Sequence, residues 1–285
     1  MNKFVIYTAI VGNYDQIKQP LVVDERFDYI IFSNDIKEEK IGIWQIKPIN
    51  YYNSDSTRIC RYAKTHPEKL LLNYDFSVWM DANIQICTQY FYDKVIELYN
   101  QGILVSSLWH PVRRCIYDEA FAVVNMMVEH EDVVVRWCHF LRKEKFPRNL
   151  GLCETGVMFR RHNVSLINET NAMWWNCIKH FSRRDQLSFN YVLWKLDIPC
   201  HYLLGEGNNA RNTEHLRLIQ HSNIKHNHCP IEKNEAWLMR YCWKLPCQTN
   251  IIAQLYYKLY SYPYPRIWFA LYGQLYRLKY LFTQK

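Results

Sequence analysis

Short runs of apolar, β-branched and aromatic residues recur along the chain, each closed by polar or turn-forming residues. Phe4 to Val11 is the first; it stops at Gly12-Asn13-Tyr14-Asp15 and predicts a central strand with a tight turn behind it. Phe27 to Phe32 repeats the pattern before Ser33-Asn34-Asp35, and Ile43 to Ile46, Phe76 to Met80 and Ile103 to Leu108 predict further strands, with another short one after Gly156. Between them the spacing turns helical. Helices are expected from Ser54 to Lys69 and from Phe91 to Gln101, within the alternating apolar and charged stretch Ala120–Phe146, from Trp174-Trp175, and again from Asp185-Gln186. Strands that end in polar loops, with spans long enough for crossovers, suggest a parallel α/β sheet flanked by helices.

In such a sheet, ligands bind beyond the carboxyl ends of the strands. The Phe76–Met80 strand ends at Asp81 and Asn83, a carboxylate and an amide oxygen one residue apart. That pair suits a hard divalent cation, Mn²⁺ or Mg²⁺, that also binds phosphate oxygens. Asp-x-Asn is also ordinary turn chemistry, so its neighbours decide the reading. Arg58, Arg61 and Lys64 recur every third residue of the helix leading to this strand and lie within about 120° of one another, a cationic face fit for phosphate or an anionic sugar. The Gly-x-Gly-x-x-Gly and Gly-Lys-Ser/Thr fingerprints are absent, which argues against a dinucleotide enzyme and a P-loop ATPase.

Further candidates follow. His110 to Glu119 gathers titratable groups directly behind a buried strand and reads as an active-site loop, with Asp118 and Glu119 as carboxylates for acceptor positioning and Cys115 as a small buried hydrophobe. Glu154 is placed either to cap structure or to reach an acceptor hydroxyl, and Asp185-Gln186 either to stabilise a helix start or to grip sugar hydroxyls. His221, His226, His228 and Cys229, with Cys242 and Cys247, fit no common zinc spacing. One histidine of this group is expected to complete the cation shell of Asp81 and Asn83.

Composition adds a boundary. The 285 residues are 49% apolar, enough for a substantial core. Ten cysteines lack framework spacing and no window reaches the ~18 apolar residues of a membrane span, so a protein without disulfides, soluble or peripheral, is expected. The net charge is +8, but the stretch from Trp243 carries six basic residues and no acid. A catalytic domain over 1–242 and a helical tail over 243–285 follow. From Asn250 to Lys285 eight tyrosines stand among the bases, a composition favoured at an anionic membrane surface, where each base contributes ~1 kcal/mol. Packing onto the domain ranks second and nucleic-acid binding a distant third; the near-neutral body argues against nucleic acid.

The motifs together resemble one family: the glycosyltransferase-like domain, formerly of unknown function, of plant mucilage and cell-wall proteins and bacterial polysaccharide clusters. The likeness runs through Tyr7 to Asp15, Arg58, Arg61, Lys64, His66-Pro67, Val78 to Asn83, His110-Pro111-x-Arg113-x-Cys115-x-Tyr117-Asp118-Glu119, Trp174-Trp175 and Arg184 to Phe189. It implies a GT-A-like (Rossmann-like) fold with a mixed sheet, a nucleotide-sugar donor and a divalent cation. By resemblance, Thr8 and Tyr14 cradle the base and ribose, and Asp81 with Asn83 stands for the Asp-x-Asp motif. Asp185-Gln186 is similar to the pair beside the donor sugar in retaining enzymes. The function expected is transfer of a sugar from a UDP-sugar to a saccharide or lipid-linked acceptor in lipopolysaccharide or capsule biosynthesis, at the cytoplasmic face of a membrane. The alternative is a catalytically inactive module that binds sugar nucleotides or a membrane surface.

Overall fold

The computed structural model describes residues 4–125 and 128–221. His226, His228 and the expected tail lie outside the described residues. The described residues divide into two units, 4–114 with 151–221, and 115–125 with 128–150.

The first unit holds β1 (Phe4–Ala9), β2 (Phe27–Phe32), β3 (Lys40–Ile41), β4 (Trp44–Lys47), α1 (Ser56–Thr65), α2 (Pro67–Leu70), β5 (Phe76–Met80), β6 (Ile84–Ile86), α3 (Gln89–Asn100) and β7 (Val105–Trp109). The second unit contributes α4 (Ile116–Asn125) and α5 (Glu131–Lys143) before the chain returns with β8 (Cys153–Arg161), α6 (Ser165–His180), α7 (Gln186–Lys195), β9 (His201–Tyr202) and β10 (Leu216–Leu218). Eight strands form one sheet in the order β3-β4-β2-β1-β5-β8-β7-β9, and β10 pairs with β6 in a separate ribbon. β4, β2, β1 and β5 run parallel, while β8 runs antiparallel between β5 and β7. This is the mixed sheet, flanked by helices, that was expected from the resemblance.

All five residues of β5 are buried, as a strand covered on both faces requires. Ile6, Ile31, Val78, Met80, Val157 and Phe159 form one core with Phe91, Tyr92 and Val95 of α3. Tyr7 and Trp79 alternate to the opposite face, where the wholly buried Arg160 donates to Tyr7 Oη, to the Lys64 carbonyl and to Asn171. That guanidinium ties the end of α1 to the sheet.

The strand order reverses between β1 and β5, so the loops behind these two strands flank the switch-point crevice. The first loop is held by Gly12, whose N–H donates to Asp35 Oδ2 at 2.5 Å. With φ at +73° and Ser56 Oγ 3.2 Å from where a Cβ would stand, glycine suits the position best.

Several elements depart from expectation. The helix behind Ser54 breaks at His66, because Pro67 disfavours helical backbone before it, and resumes as α2 with that proline in its first turn. α6 begins at Ser165, well before Trp174-Trp175, so Trp174 is a mid-helix core residue. Ala120–Phe146 resolves into α4 and α5, and the chain after His110 is already helical at Ile116. Cys153 and Cys200 form a disulfide that the scattered cysteine spacing did not announce. Within the second unit, Tyr117 donates to the Phe146 carbonyl at 3.0 Å and Val123, Val124, Trp137 and Leu141 are buried.

Candidate active site

Asp81 follows β5 directly, and its N–H donates to the Gly156 carbonyl at 2.7 Å, so β8 fixes the turn. Its Oδ1 accepts from Trp79 Nε1 at 2.7 Å and lies 3.6 Å from Lys64 Nζ. A Cβ on Gly156 would stand 3.5 Å from Oδ2 and 3.0 Å from Ile84 Cδ1, so the glycine keeps that side of the carboxylate open.

The β6–β10 ribbon brings the far end of the chain to the same place. The Ile219 N–H donates to the Asn83 carbonyl at 2.8 Å, and the Asn83 side-chain amide donates to the Ile219 carbonyl at 3.0 Å. His221 lands there, with Nε2 3.5 Å from Asn83 Nδ2 and Nδ1 2.9 Å from Asp15 Oδ2. A carboxylate on Nδ1 favours the tautomer with its proton there, turning the Nε2 lone pair toward Asn83. Asn83 and His221 stand side by side, with Asp81 two residues before Asn83. Among the described residues no three carboxylates, imidazoles or thiols cluster to hold a metal ion, so a hard divalent cation would rest on Asp81 and Asn83 with His221 drawn in. Tyr14 packs on the His221 ring, with centroids 4.6 Å apart. Thr8, at the end of β1, is buried and its hydroxyl has no hydrogen-bond partner among the described residues.

On the other side of Asp81 lies a charge cluster. Lys64 is buried, its ammonium 2.6 Å from Asp185 Oδ2 and 5.3 Å from the Trp79 ring centre. Arg61 Nε is 2.7 Å from Asp185 Oδ1, and Thr155 Oγ1 donates to Oδ2 at 2.9 Å. Asp185 precedes α7 but makes no side-chain cap. Its carboxylate faces the cluster instead, and Trp174 Nε1 holds its carbonyl at 2.9 Å. Burial alone would raise this carboxyl, but Arg61 and Lys64 together hold it well below the usual carboxylate range. Gln186 is half-buried at the first position of α7.

The expected cationic face divides. Arg61 and Lys64 serve the cluster, whereas Arg58 donates to the Ile178 and Phe181 carbonyls at the end of α6 and pairs with Asp55 at 3.8 Å. Arg58 thus satisfies helix-end carbonyls in this structure. Glu154 opens β8, buried, its Oε1 paired with Arg211. Asp118 and Glu119 occupy the first turn of α4 in the second unit; Asp118 pairs there with Arg148 at 3.1 Å, Glu119 is buried and Cys115 is buried as expected. Asp15, Thr155 and Arg211 were not singled out by the sequence. A glycine inside a strand, Gly156, was the one local signal of close approach.

The chain matches the TOD1/MUCI70, glycosyltransferase-like domain over residues 1–204. It belongs to the TOD1/MUCI70 glycosyltransferase-like family. Two relatives from Arabidopsis thaliana illustrate the family's range: "Alkaline ceramidase TOD1" is 22% identical over 226 residues, covering 66% of this chain and 47% of that protein. "Probable hexosyltransferase MUCI70" is 22% identical over 223 residues, covering 66% of this chain and 36% of that protein. The chain therefore spans less than half the length of these TOD1/MUCI70 relatives. Among solved structures, the apo form of the bifunctional glycosyltransferase WbbM is 11% identical, covering 70% of this chain and 38% of that one, with a TM-score of 0.41.

Proposed function

We propose that this domain transfers a sugar from a nucleotide diphosphate, a UDP-sugar, to a saccharide or lipid-linked acceptor in cell-surface polysaccharide synthesis, with retention of configuration. The placing of Asp81 and Asn83 behind β5 at the switch point, with His221 against Asn83 and Lys64 joining Asp81 to Asp185, supports this reading. Mn²⁺ or Mg²⁺ bound by Asp81, Asn83 and His221 would supply Lewis-acid stabilisation to the diphosphate. Thr8 and Tyr14 hold the nucleoside. The Lys64 ammonium offsets negative charge as the diphosphate departs, electrostatic stabilisation aimed where charge develops. Asp185, kept ionised by Arg61 and Lys64, holds the Lys64 ammonium beside Asp81, and Gln186 grips the sugar hydroxyls. Residues 250–285 place the protein peripherally at the cytoplasmic membrane face; no helix among the described residues is long and apolar enough to cross a membrane.

UDP-sugar hydrolysis with Mn²⁺ and with EDTA tests this reading, with Asp81→Ala expected to remove turnover while the protein stays folded. Normal turnover by Asp81→Ala, or nucleotide binding without any turnover, would overturn it in favour of a binding module. Ceramide hydrolysis, the activity named for the TOD1 relative, is assayed in parallel. Fatty-acid release that Asp81→Ala abolishes, with no UDP-sugar consumed, sinks the transferase.

A further inference from the structure

A second carboxylate sits at the same sheet edge, outside the donor chemistry above. Ser107 of β7 pairs with Met158 but the next residue, Leu108, pairs with Glu154, so Thr155, Gly156 and Val157 bulge from the ladder with β7, while Val157 stays paired with Met80 of β5. Glu154 is 7% exposed; Arg211 takes its Oε1, and its Oε2 has no hydrogen-bond partner among the described residues. Burial pushes this carboxyl up, against the pull of Arg211 and the Ala210 amide, and the charge of Asp81 adds to the rise. A buried oxygen left without a donor is unfavourable until a ligand supplies one.

Arg211 projects from a fixed loop. Its N–H donates to Asn209 Oδ1 at 2.9 Å, the Asn209 N–H donates to Asn212 Oδ1 at 2.8 Å, and Asn209 and Ala210 are buried. The loop hangs on the end of β7, where the Trp109 N–H donates to the Asn208 carbonyl at 3.2 Å. The Arg211 side chain, by contrast, is 49% exposed, and its guanidinium carries five N–H donors, more than one carboxylate oxygen occupies. Arg113 and Arg114 follow β7, and with Arg211 both act on the His110 imidazole. Arg114 stacks 3.9 Å from the Trp109 ring centre, and Arg113 donates its N–H to His110 Nδ1 at 2.8 Å. Burial, then Arg113, Arg211 and Arg114 together, hold the His110 imidazole down to about 3, so it adds no charge of its own.

We propose that Glu154 and Arg211 form the acceptor subsite, and that the acceptor carries an anionic group, carboxylate or phosphate, beside its reacting hydroxyl. The hydroxyl donates to Glu154 Oε2; the anion bridges the outward edge of Arg211, in the field of Arg113 and Arg114. The proposal rests on the glycosyltransferase reading and narrows its acceptor class.

Ligand-observed NMR of the full chain tests it with three probes: galactose, galacturonate and galactose 6-phosphate, each with and without saturating UDP. At least one anionic probe is expected to bind about tenfold more tightly than galactose, the effect of a charge-assisted hydrogen bond, and Arg211→Gln should reduce it to the galactose level. Which anion binds better identifies the acceptor's charge. Glu154→Gln, which frees Arg211 of its carboxylate, should tighten the anionic probes severalfold. Should Arg211→Gln fail to fold, Glu154→Gln reads the same pair, and unchanged anion binding in it counts against the proposal. Equal binding of all three probes, or anion binding indifferent to Arg211, overturns it. UDP that does not bind would sink the donor reading alone, because the ratio of anionic to neutral binding is measured without UDP as well.

Discussion

Lys64→Met removes one charge from between two carboxylates while keeping a long, flexible side chain in a buried slot. At an effective dielectric of 20, the attraction of Lys64 to Asp185 across 2.6 Å is ~6 kcal/mol and to Asp81 across 3.6 Å ~5 kcal/mol. The second figure shrinks further, since the Asp81 side chain is 34% exposed and water screens it. Burying the ammonium costs several kcal/mol, which Lys64→Met recovers, and Arg61 still neutralises Asp185 at 2.7 Å. The net expectation is a loss of ~3 kcal/mol at pH 7, short of unfolding a domain of ordinary stability. The sign with pH follows from Asp185. Its folded carboxyl is held below its unfolded value, so its contribution is fully present above the unfolded pKa of ~3.9 and fades as pH falls through that region toward the folded value. The unfolded chains titrate Asp185 alike, so in urea unfolding of both proteins from pH 7 downward the gap should narrow only once pH falls below the folded carboxyl value of the variant, which lies above that of the parent. Donor hydrolysis by the folded variant should fall ~10²-fold, the cost of removing one stabilising charge at a leaving group. A gap under ~1 kcal/mol at pH 7, or a gap that widens into acid, would refute the claim that Lys64 pairs with a buried, ionised Asp185.

Three more outcomes are expected. Asp15→Asn should weaken Mn²⁺ binding ~10-fold or more, by calorimetry, because the carboxylate no longer orients His221; unchanged affinity removes His221 from the cation shell. Thr8→Val deletes a buried hydroxyl without a partner among the described residues, so thermal unfolding should shift upward by the equivalent of ~1 kcal/mol while the UDP dissociation constant rises ~5-fold; a destabilised variant with intact UDP binding contradicts the role given to Thr8. Deleting residues 250–285 should abolish sedimentation with anionic vesicles, and retention on them refutes the membrane role of that segment.

What the sequence disclosed and what it withheld divide along the distance between interacting residues. β1, β2 and β5 announce themselves because a strand buried on both faces must be apolar along its length, and the run into Asp81 marks where that constraint ends. Spacing also put Arg58, Arg61 and Lys64 on one helix face, but a periodicity reports direction and says nothing of partners. Asp185, which selects Arg61 and Lys64, comes more than a hundred residues later in the chain, and the carbonyls of α6 that take Arg58 are equally remote. The His221–Asp15 pair spans 206 positions and has no local signature at all.

Asp185 shows most directly how such a residue acquires its role. An aspartate before a helix ordinarily accepts the helix's own first N–H groups, and local reasoning therefore leads first to a capping role. Here the antiparallel insertion of β8 brings Thr155 to its carboxylate, and α1 brings two cations, so three long-range donors replace the local ones. A carboxylate committed to its helix would have faced along the backbone; one held by Lys64 and Arg61 shares its ammonium with Asp81. The same lysine then ties the end of β5 to the start of α7, and any change in charge at one carboxylate is felt at the other. That coupling makes the cluster one electrostatic unit, so Lys64→Met combined with Asp185→Asn should cost less stability than the sum of the two single substitutions.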